Sequence, residues 1–297
     1  MREESGVEEQ MRNGGVSVVV PVYNEERGIG ALITQVSSEM ARSGLAFEVL
    51  VVDDGSTDRT RENIQVHAET VRLLCHEENR GYGAALKTGI HAARFPIVLI
   101  IDADGTYPTA EIPRLLHELQ PGVEMVVGAR TGSDVSIPLV RKPAKWVLRR
   151  LAEHLSERTI PDLNSGLRAF RREAVRPYLH ILPNRFSFTT TITLCFLSDG
   201  LGVRFVPINY RKRVGRSKIK PSDALNFLIL ILRTVTYFNP LRVFLPLSLC
   251  FLSLTVARVG YDVFVLSNLT DSTTILFVGT VLTAAIGILA DLIVRRR

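Results

Sequence analysis

Five short apolar runs between residues 16 and 130 constrain the fold of this chain more than any other feature. They are VSVVVPV (16–22), FEVLVVDD (47–54), VRLLCH (71–76), PIVLIIDAD (96–104) and VEMVVGAR (123–130). Amphipathic segments at 26–44, 58–69 and 83–94 separate the first four runs. Unbroken apolar strands that alternate with helices are typical of a parallel sheet covered on both faces. The sequence therefore predicts an α/β fold with a doubly wound, mostly parallel sheet.

Polar turns follow the first four of these predicted strands. The turns are PVYNEE, DDGSTD, NRGYG and DADGTYP. Each alone is an ordinary turn sequence, because Asp, Asn, Gly and Ser are common turn formers. In doubly wound sheets, however, ligands bind outside the carboxyl ends of the strands, where all four turns would meet. We therefore expect the functional site at that edge of the sheet.

Two acidic pairs stand at strand ends, and each suggests a ligand. Asp102 and Asp104 follow the fourth run and are separated by one residue. Carboxylates at this spacing can bind one Mg²⁺ or Mn²⁺ ion, which keeps its other positions for water and phosphate oxygens. Such an ion would neutralise charge on a leaving diphosphate. Asp53 and Asp54 end a neighbouring strand, where they could accept hydrogen bonds from a base or a ribose.

The chain is basic, with a net charge of +6. This balance would suit nucleic acid, an anionic membrane surface or a phosphorylated ligand. Basic residues that could face the acidic pairs are Arg130, Arg141, Lys142 and Lys145, followed by the stretch 210–220. A basic run is more often a solvated surface, and before a membrane segment it also suits lipid headgroups. We expect no nucleic acid partner.

Missing motifs argue against several enzyme classes. There is no GxxxxGK[ST], which excludes a P-loop kinase or ATPase. The segment GYGAAL (81–86) lacks the last glycine of GxGxxG and does not directly follow a strand, which argues against a dinucleotide dehydrogenase. The six histidines show no metal-ligand spacing, and we interpret them as structural. The three cysteines show no CxxC or metal spacing either, and we interpret them as reduced, buried or lipid-facing thiols.

The composition changes after about residue 220, where the chain becomes strongly apolar. We predict a disordered arm (1–14), a main domain (15–221), an interfacial amphipathic helix (222–240) and a transmembrane helical hairpin (243–297). The first span contains Arg258 and Asp262, which could pair at i, i+4 near the outer end. Arg242 and the terminal RRR put both ends of the hairpin in the cytoplasm by the positive-inside rule. A helical dimerisation arm on a soluble protein is the alternative.

Five segments, taken in order, resemble the inverting glycosyltransferases of family 2. They are VVVPVYNEE, VLVVDDGSTDRT, ENRGYGAALKTGI, IDADGTYP and LNSGLRAF. They look most like the branch that moves sugars onto polyprenyl phosphates, of which dolichyl-phosphate mannose synthase is the best-known type. The resemblance covers about residues 16–220. It implies the A-type glycosyltransferase fold, a nucleotide-diphosphate sugar at the sheet edge and Mg²⁺ or Mn²⁺ at the acidic pair.

The resemblance also implies roles for individual residues. The nucleotide-sugar would contact Pro21, Tyr23, Glu25, Val52, Asp53, Asp54, Asp102, Ala103, Asp104, Arg213 and Lys218, with the metal on Asp102 and Asp104. The acceptor phosphate would contact Arg130, Arg141, Lys145 and Ser165, and the catalytic residues would be Asp104, Arg130 and Arg213. Two features depart from the family pattern: RVGRSK (213–218) is one residue shorter than R-x-x-G-x-S-K, and Thr106 replaces a common Gln.

The implied function is inverting transfer of one sugar from a GDP- or UDP-linked donor to dolichyl or undecaprenyl phosphate. The enzyme would be a multi-pass protein of the cell membrane with its catalytic domain in the cytoplasm, and copies could associate through the transmembrane helices. One alternative is a processive polysaccharide synthase, but the single tryptophan, Trp146, is not in a Q-x-x-R-W motif. The other is a catalytically silent, membrane-tethered nucleotide-sugar-binding protein, against which the intact acidic residues argue.

Overall fold

A computed structural model describes residues 14–131, 153, 159–185, 187–210, 229, 232, 235–237 and 239–295. Several sequence predictions lie outside these residues. They are the N-terminal arm up to residue 13, most of the interfacial helix, and the basic residues Arg141, Lys142, Lys145, Arg213 and Lys218.

A seven-stranded sheet forms the main domain, in the order β3-β2-β1-β4-β6-β5-β7. The strands are β1 (Val16–Val22), β2 (Phe47–Asp53), β3 (Arg72–Cys75), β4 (Ile97–Ile100), β5 (Met125–Ala129), β6 (Arg168–Arg171) and β7 (Val203–Pro207). Strand β6 runs antiparallel to both β4 and β5, and the other pairs are parallel. The predicted α/β fold with a mostly parallel sheet is therefore confirmed, although β6 and β7 were not predicted.

Helices cover both faces of the sheet, as the unbroken apolar strands predicted. They are α1 (Ile29–Arg42), α2 (Thr60–Gln65), α3 (Tyr82–Ala92), α4 (Ile112–His117), α5 (Arg172–Val175) and α6 (Phe188–Ser198). Along β1, Val18 and Val20 pack in the core on the α1 face, whereas Val19 packs on the α3 face. A Cβ at Gly89 would lie 2.3 Å from Val19 Cγ1, so α3 can approach β1 only because residue 89 has no side chain.

The antiparallel direction of β6 determines which residues reach the functional edge. Because β6 runs opposite to β4 and β5, its amino end lies beside their carboxyl ends. The turn at 162–166, which leads into β6, therefore reaches the same edge as Asp102 and Arg130. The fold thus brings this turn, which contains Ser165, to the edge where the sequence predicted the turns after the first four strands.

Two long helices form a hairpin after the main domain. They are α7 (Leu241–Tyr261) and α8 (Asp271–Arg295), joined through a π-helical turn at Asp262–Leu266. By length and apolar composition, Leu241–Leu266 and Asp271–Val294 could each cross a membrane, and only 11% of the most apolar part of each is buried. The predicted spans, 243–265 and 273–294, are therefore helical and expose apolar side chains as lipid-facing helices do.

Polar contacts join the two helices of the hairpin. Ser248 Oγ donates to the Thr280 carbonyl at 3.3 Å in the middle of the pair. At the turn, the predicted partners Arg258 and Asp262 form an ion pair, with Nε and Oδ1 3.3 Å apart. Asp262 Oδ2 also accepts hydrogen bonds from the hydroxyls of Thr270 and Thr273 at 2.7 and 2.6 Å. The buried carboxylate thus accepts hydrogen bonds through Oδ2 from the start of α8, while among the described residues its Oδ1 has only the ion pair with Arg258 of α7, and these contacts join the two helices at the turn.

Candidate active site

The loops after β1 and β2 are bonded into one unit at the carboxyl edge of the sheet. Asn24 has a φ of 53°, and its Oδ1 accepts a hydrogen bond from the Thr57 N–H at 2.8 Å. The Glu25 N–H donates to Thr60 Oγ1 at 2.9 Å. Below these bonds, Pro21 pairs with Val52 in the parallel register. The structure therefore brings together four of the predicted nucleotide contacts, Pro21, Tyr23, Glu25 and Val52.

Asp53 and Asp54, predicted to accept hydrogen bonds from a base or a ribose, are buried and accept hydrogen bonds from the chain itself. Asp53 is fully buried, and its oxygens accept from the Ser56 N–H at 3.1 Å and from the Arg61 Nε–H. Asp54 is 3% exposed and accepts from the Arg80 and Gly81 N–H groups at 2.9 and 2.8 Å. Both carboxylates therefore hold the loops of this edge in place, because their oxygens accept hydrogen bonds from those loops.

Asp102 lies beyond the end of β4 between two other segments. Its Oδ1 accepts a hydrogen bond from the Tyr82 hydroxyl at 2.7 Å. On its other side, a Cβ at Gly166 would lie 2.1 Å from Oδ2, so the turn before β6 can pass the carboxylate only with glycine there. Burial and the neighbouring Asp104 carboxylate raise the pKa of Asp102 from its usual 3.8 to about 6.

Asp104 is oriented by its own turn. Thr106 donates to Asp104 Oδ1 through its backbone N–H at 3.1 Å and through its hydroxyl at 2.6 Å. Thr106 is buried, so these bonds fix one carboxylate oxygen against the turn. The threonine that replaces the family's common Gln therefore contacts this predicted metal ligand directly.

The acidic pair fits a divalent cation that arrives with a phosphate ligand. The raised pKa of Asp102 reflects burial first and then repulsion from Asp104, and a cation between them would relieve both. In the parts of the chain that the structure describes, there is no cluster of three or more His, Cys, Asp or Glu that could enclose a metal. Two carboxylates leave most of an octahedral shell to water and phosphate, as Mg²⁺ sites commonly do.

Arg130 is held by Asp162, a residue that the sequence analysis missed. The Arg130 Nε–H and Nη2–H donate to the two Asp162 oxygens at 2.6 and 2.8 Å. Burial alone would lower the pKa of Arg130 and raise that of Asp162, but the pair outweighs burial and shifts both pKa values the other way. Both groups therefore stay charged at neutral pH, and the bidentate bonds fix the plane of the guanidinium.

Two tyrosines complete the surroundings of Arg130. The Tyr210 ring lies under the guanidinium, with its centre 5.2 Å from Cζ. It also meets the Tyr107 ring edge to face at 5.2 Å, and the Tyr107 hydroxyl accepts from the Gly166 N–H at 2.6 Å. Because Tyr210 begins the basic stretch 210–220, these contacts anchor the start of that stretch beside Arg130.

Ser165, predicted to contact the acceptor phosphate, lies inside the domain and is bonded to the chain itself. Ser165 is fully buried, and its hydroxyl donates to the Gly128 carbonyl at 2.5 Å. Its own carbonyl accepts from the fully buried Arg168, whose guanidinium also donates to the Thr189 carbonyl at 3.0 Å. Ser165 therefore lies beneath the edge, where it connects β5 to the turn before β6.

Asp102→Asn is expected to stabilise the metal-free protein at pH 7. The pKa of Asp102 in the folded protein, about 6, exceeds its usual value of 3.8. The wild-type protein therefore loses stability as the pH rises from about 3.8 to about 6, because the folded state binds this proton more tightly than the unfolded state does. The full shift corresponds to about 3 kcal/mol, and we expect a gain of about 1–2 kcal/mol because Asp102 is half-buried. Thermal unfolding in detergent with chelator, followed between about pH 4 and pH 8, measures this. A gain of the same size at pH 4 would contradict the electrostatic origin.

Comparison with known proteins identifies relatives for both parts of the chain. The family described as "Glycosyl transferase family 2" matches residues 17–179. The family described as "GtrB C-terminal hairpin" matches residues 239–295. Together these matches cover the main domain as far as residue 179, beyond β6 and α5, and the whole two-helix hairpin.

Two curated relatives are polyprenyl-phosphate sugar transferases by name. A dolichyl-phosphate hexose transferase of Haloferax volcanii is 32% identical over 209 residues, which are 69% of this chain and 87% of the relative. An undecaprenyl-phosphate 4-deoxy-4-formamido-L-arabinose transferase of Yersinia pestis is 32% identical over 189 residues, 59% of this chain. The match spans 57% of that relative's length.

Among solved structures, glucosyl-3-phosphoglycerate synthase from Mycobacterium tuberculosis has a similar fold. Its complex with Mn²⁺, UDP-glucose and phosphoglyceric acid has a TM-score of 0.60 and 25% sequence identity. The match covers 78% of this chain and 83% of that one. That complex contains a divalent metal, a nucleotide sugar and a phosphorylated acid.

Proposed function

Because the chain belongs to glycosyltransferase family 2, we propose that it transfers one sugar from a nucleotide-diphosphate sugar to a polyprenyl phosphate, with inversion at the anomeric carbon. The observation that carries this proposal is the apolar hairpin at 239–295, attached to a glycosyltransferase domain. A membrane-embedded hairpin holds the domain at the surface where a lipid acceptor presents its phosphate. The names of the curated relatives support the same acceptor class.

The donor would bind along the edge from β1 to β4. Pro21, Tyr23, Glu25 and Val52 would contact the nucleotide, and Asp53 and Asp54 would support the loops from inside. Asp102, Ala103 and Asp104 would hold the diphosphate through a divalent ion, either Mg²⁺ or Mn²⁺. When bound, such an ion supplies positive charge that stabilises the leaving diphosphate.

The acceptor phosphate would approach Arg130 from the side of the site opposite the donor. A phosphate oxygen is already an anion, so its attack requires no strong general base. It requires cations, because one anion must approach another in a site of low dielectric. Within the described residues, Arg130 uses two of its five side-chain N–H donors on Asp162, and others can bind phosphate. Arg141, Lys145, Arg213 and Lys218 would add positive charge from segments outside the described residues.

The catalytic domain would lie on the cytoplasmic side of the cell membrane, and the chain would cross the membrane twice. Arg242 precedes the first span, and Arg295, Arg296 and Arg297 close the second, as the positive-inside rule requires of cytoplasmic ends. Residues 267–272, at the turn between the two spans, would then face outwards. This orientation brings the donor, a cytoplasmic metabolite, and the lipid phosphate to one surface.

Purified protein in detergent, supplied with Mn²⁺ and labelled GDP- or UDP-sugars in turn, tests the proposal. With one of these donors, label should enter the lipid phase when polyprenyl phosphate is present. Neutral polyprenol of the same chain length should accept at least about 100-fold less, because it is not an anion. Equal transfer to the neutral alcohol, or transfer only to phosphoglyceric acid, would contradict the proposed acceptor.

A further inference from the structure

We propose that Tyr82 is a positioning residue for the metal site, because its hydroxyl fixes the Asp102 carboxylate in the orientation that receives the divalent ion. This inference rests on the metal site proposed above. Tyr82 opens α3 and belongs to the segment NRGYG, for which the sequence predicted a polar turn at the sheet edge but no role for the tyrosine itself. Its role would be indirect, since it reaches the ion only through Asp102.

The contact between Tyr82 and Asp102 restricts the carboxylate on one side. The tyrosyl oxygen lies 2.7 Å from Oδ1, and the backbone at Gly166 approaches Oδ2 from the other side. Burial and the charge of Asp102 raise the pKa of the Tyr82 hydroxyl well above its usual value. The hydroxyl therefore remains a hydrogen-bond donor across the physiological range, and the carboxylate cannot rotate without breaking this bond.

The start of α3, which carries Tyr82, is packed tightly against a neighbouring loop. Gly81 has a φ of +104°, and a Cβ there would lie 2.5 Å from the Asn184 carbonyl oxygen. A Cβ at Gly83 would lie 2.1 Å from the Pro183 carbonyl oxygen. The Ala84 N–H donates to the Asn184 carbonyl at 2.9 Å. Glycines on both sides of Tyr82 thus let its backbone lie against the 183–185 loop in one fixed position.

Asp54 holds the same turn from the side of the sheet. Its two oxygens accept the Arg80 and Gly81 N–H groups, and Oδ1 also lies 2.7 Å from His76 Nδ1. The other ring nitrogen of His76 lies 2.9 Å from Thr88 Oγ1, further along α3. Asp54 and His76 therefore connect the end of β2 to both the turn and the helix that carry Tyr82. In this network Asp54 holds the turn that carries Tyr82, and this role requires no contact between Asp54 and a ligand.

Tyr82→Phe tests the inference, because it keeps the ring and removes only the hydroxyl. Binding of Mn²⁺ together with UDP, and separately with GDP, is followed by electron paramagnetic resonance. Loss of a group that orients a metal ligand typically costs about 10–100-fold in affinity, and we expect at least about 10-fold weaker Mn²⁺ binding. The spectrum of the bound ion should also change, since the geometry of Asp102 would no longer be fixed.

Tyr178→Phe is the matched control. Tyr178 also donates its hydroxyl to a carboxylate, that of Asp199, and is more buried than the partly buried Tyr82, with 7% exposure. Its partner follows α6 and belongs to none of the loops at the carboxyl edge. The control should lose one tyrosyl–carboxylate hydrogen bond and some thermal stability, yet bind Mn²⁺ with wild-type affinity and spectrum.

The outcomes separate this inference from the metal site on which it rests. Weaker binding and a changed spectrum in Tyr82→Phe alone, with both variants folded, support the positioning role. Wild-type affinity and spectrum in Tyr82→Phe overturn the positioning role but leave the metal site intact. If the wild-type protein binds no Mn²⁺, or if Asp104→Asn binds it equally well, both the metal site and the positioning role are refuted.

Discussion

Asp104→Asn is expected to reduce sugar transfer by roughly 100- to 1000-fold while the protein remains folded, a loss in the range found when one transition-state-stabilising group is removed. The substitution removes one negative charge from the proposed metal ligands without changing the volume of the side chain. Thr106 can still donate to the remaining side-chain oxygen, so the turn should keep its shape. The loss should therefore appear in the rate of transfer and in Mn²⁺ binding, while the melting temperature of the metal-free protein should not fall, because the substitution also removes the repulsion between Asp104 and Asp102.

Initial rates of lipid-linked product, measured with saturating donor and acceptor, test this expectation. Asp199→Asn provides a control, because it makes the same change in a carboxylate bonded to Tyr178 instead of Thr106. The control should transfer at close to the wild-type rate. Near-normal activity of Asp104→Asn, or full activity of the wild-type enzyme in excess chelator, would refute the metal assignment.

Arg130→Ala is expected to reduce transfer by roughly 100-fold or more, because the acceptor phosphate loses a fixed guanidinium that matches its geometry. The same substitution should also destabilise the domain by about 3–5 kcal/mol, since it leaves the buried Asp162 carboxylate without its partner. Activity and stability are thus both expected to fall, and a second variant is needed to separate them.

The double variant Arg130→Ala/Asp162→Asn separates the two effects. Removing the orphaned charge should recover much of the lost stability, while transfer should remain as low as in Arg130→Ala. Arg204→Ala is a surface control, because Arg204 pairs with Glu118 at a position 44% exposed and should affect neither quantity strongly. Recovery of transfer together with stability in the double variant would mean that Arg130 is only structural.

The first five strands could be predicted from the sequence, and β6 could not, for a physical reason. β1 to β5 are unbroken apolar runs, and the structure places each strand inside its predicted range. β6 has only four residues, RAFR, and one of its arginines, Arg168, is completely buried. A buried arginine depends on carbonyl partners from distant segments, such as that of Thr189, and no local pattern reveals them.

The position of the candidate site could also be predicted, but the partners of its residues could not. Turn residues at strand ends were enough to place Asp102 and Asp104 at the carboxyl edge. Their neighbours come from other parts of the chain: Tyr82 is 20 residues from Asp102, and Asp162 is 32 residues from Arg130. The antiparallel β6 brings Asp162 to the edge, so a prediction that lacked β6 could not include it.

Asp54 illustrates a further limit of the sequence. A carboxylate at a strand end can face a ligand or can accept hydrogen bonds from a neighbouring loop, and both uses favour the same residue type. The structure shows the second use, because Arg80, Gly81 and His76 all bond to this carboxylate. His76, interpreted as structural from its lack of metal-ligand spacing, is therefore part of the framework beneath the proposed metal site.

The mass of the lipid product tests the central claim most directly. Purified protein, Mn²⁺, the accepted nucleotide sugar and polyprenyl phosphate of defined length should yield one new lipid, heavier than the acceptor by a single sugar residue. Its anomeric configuration should be opposite to that of the donor. A ladder of products carrying several sugars would indicate a polysaccharide synthase. No lipid product at all, with the nucleotide sugar bound but unchanged, would contradict the proposed transfer altogether.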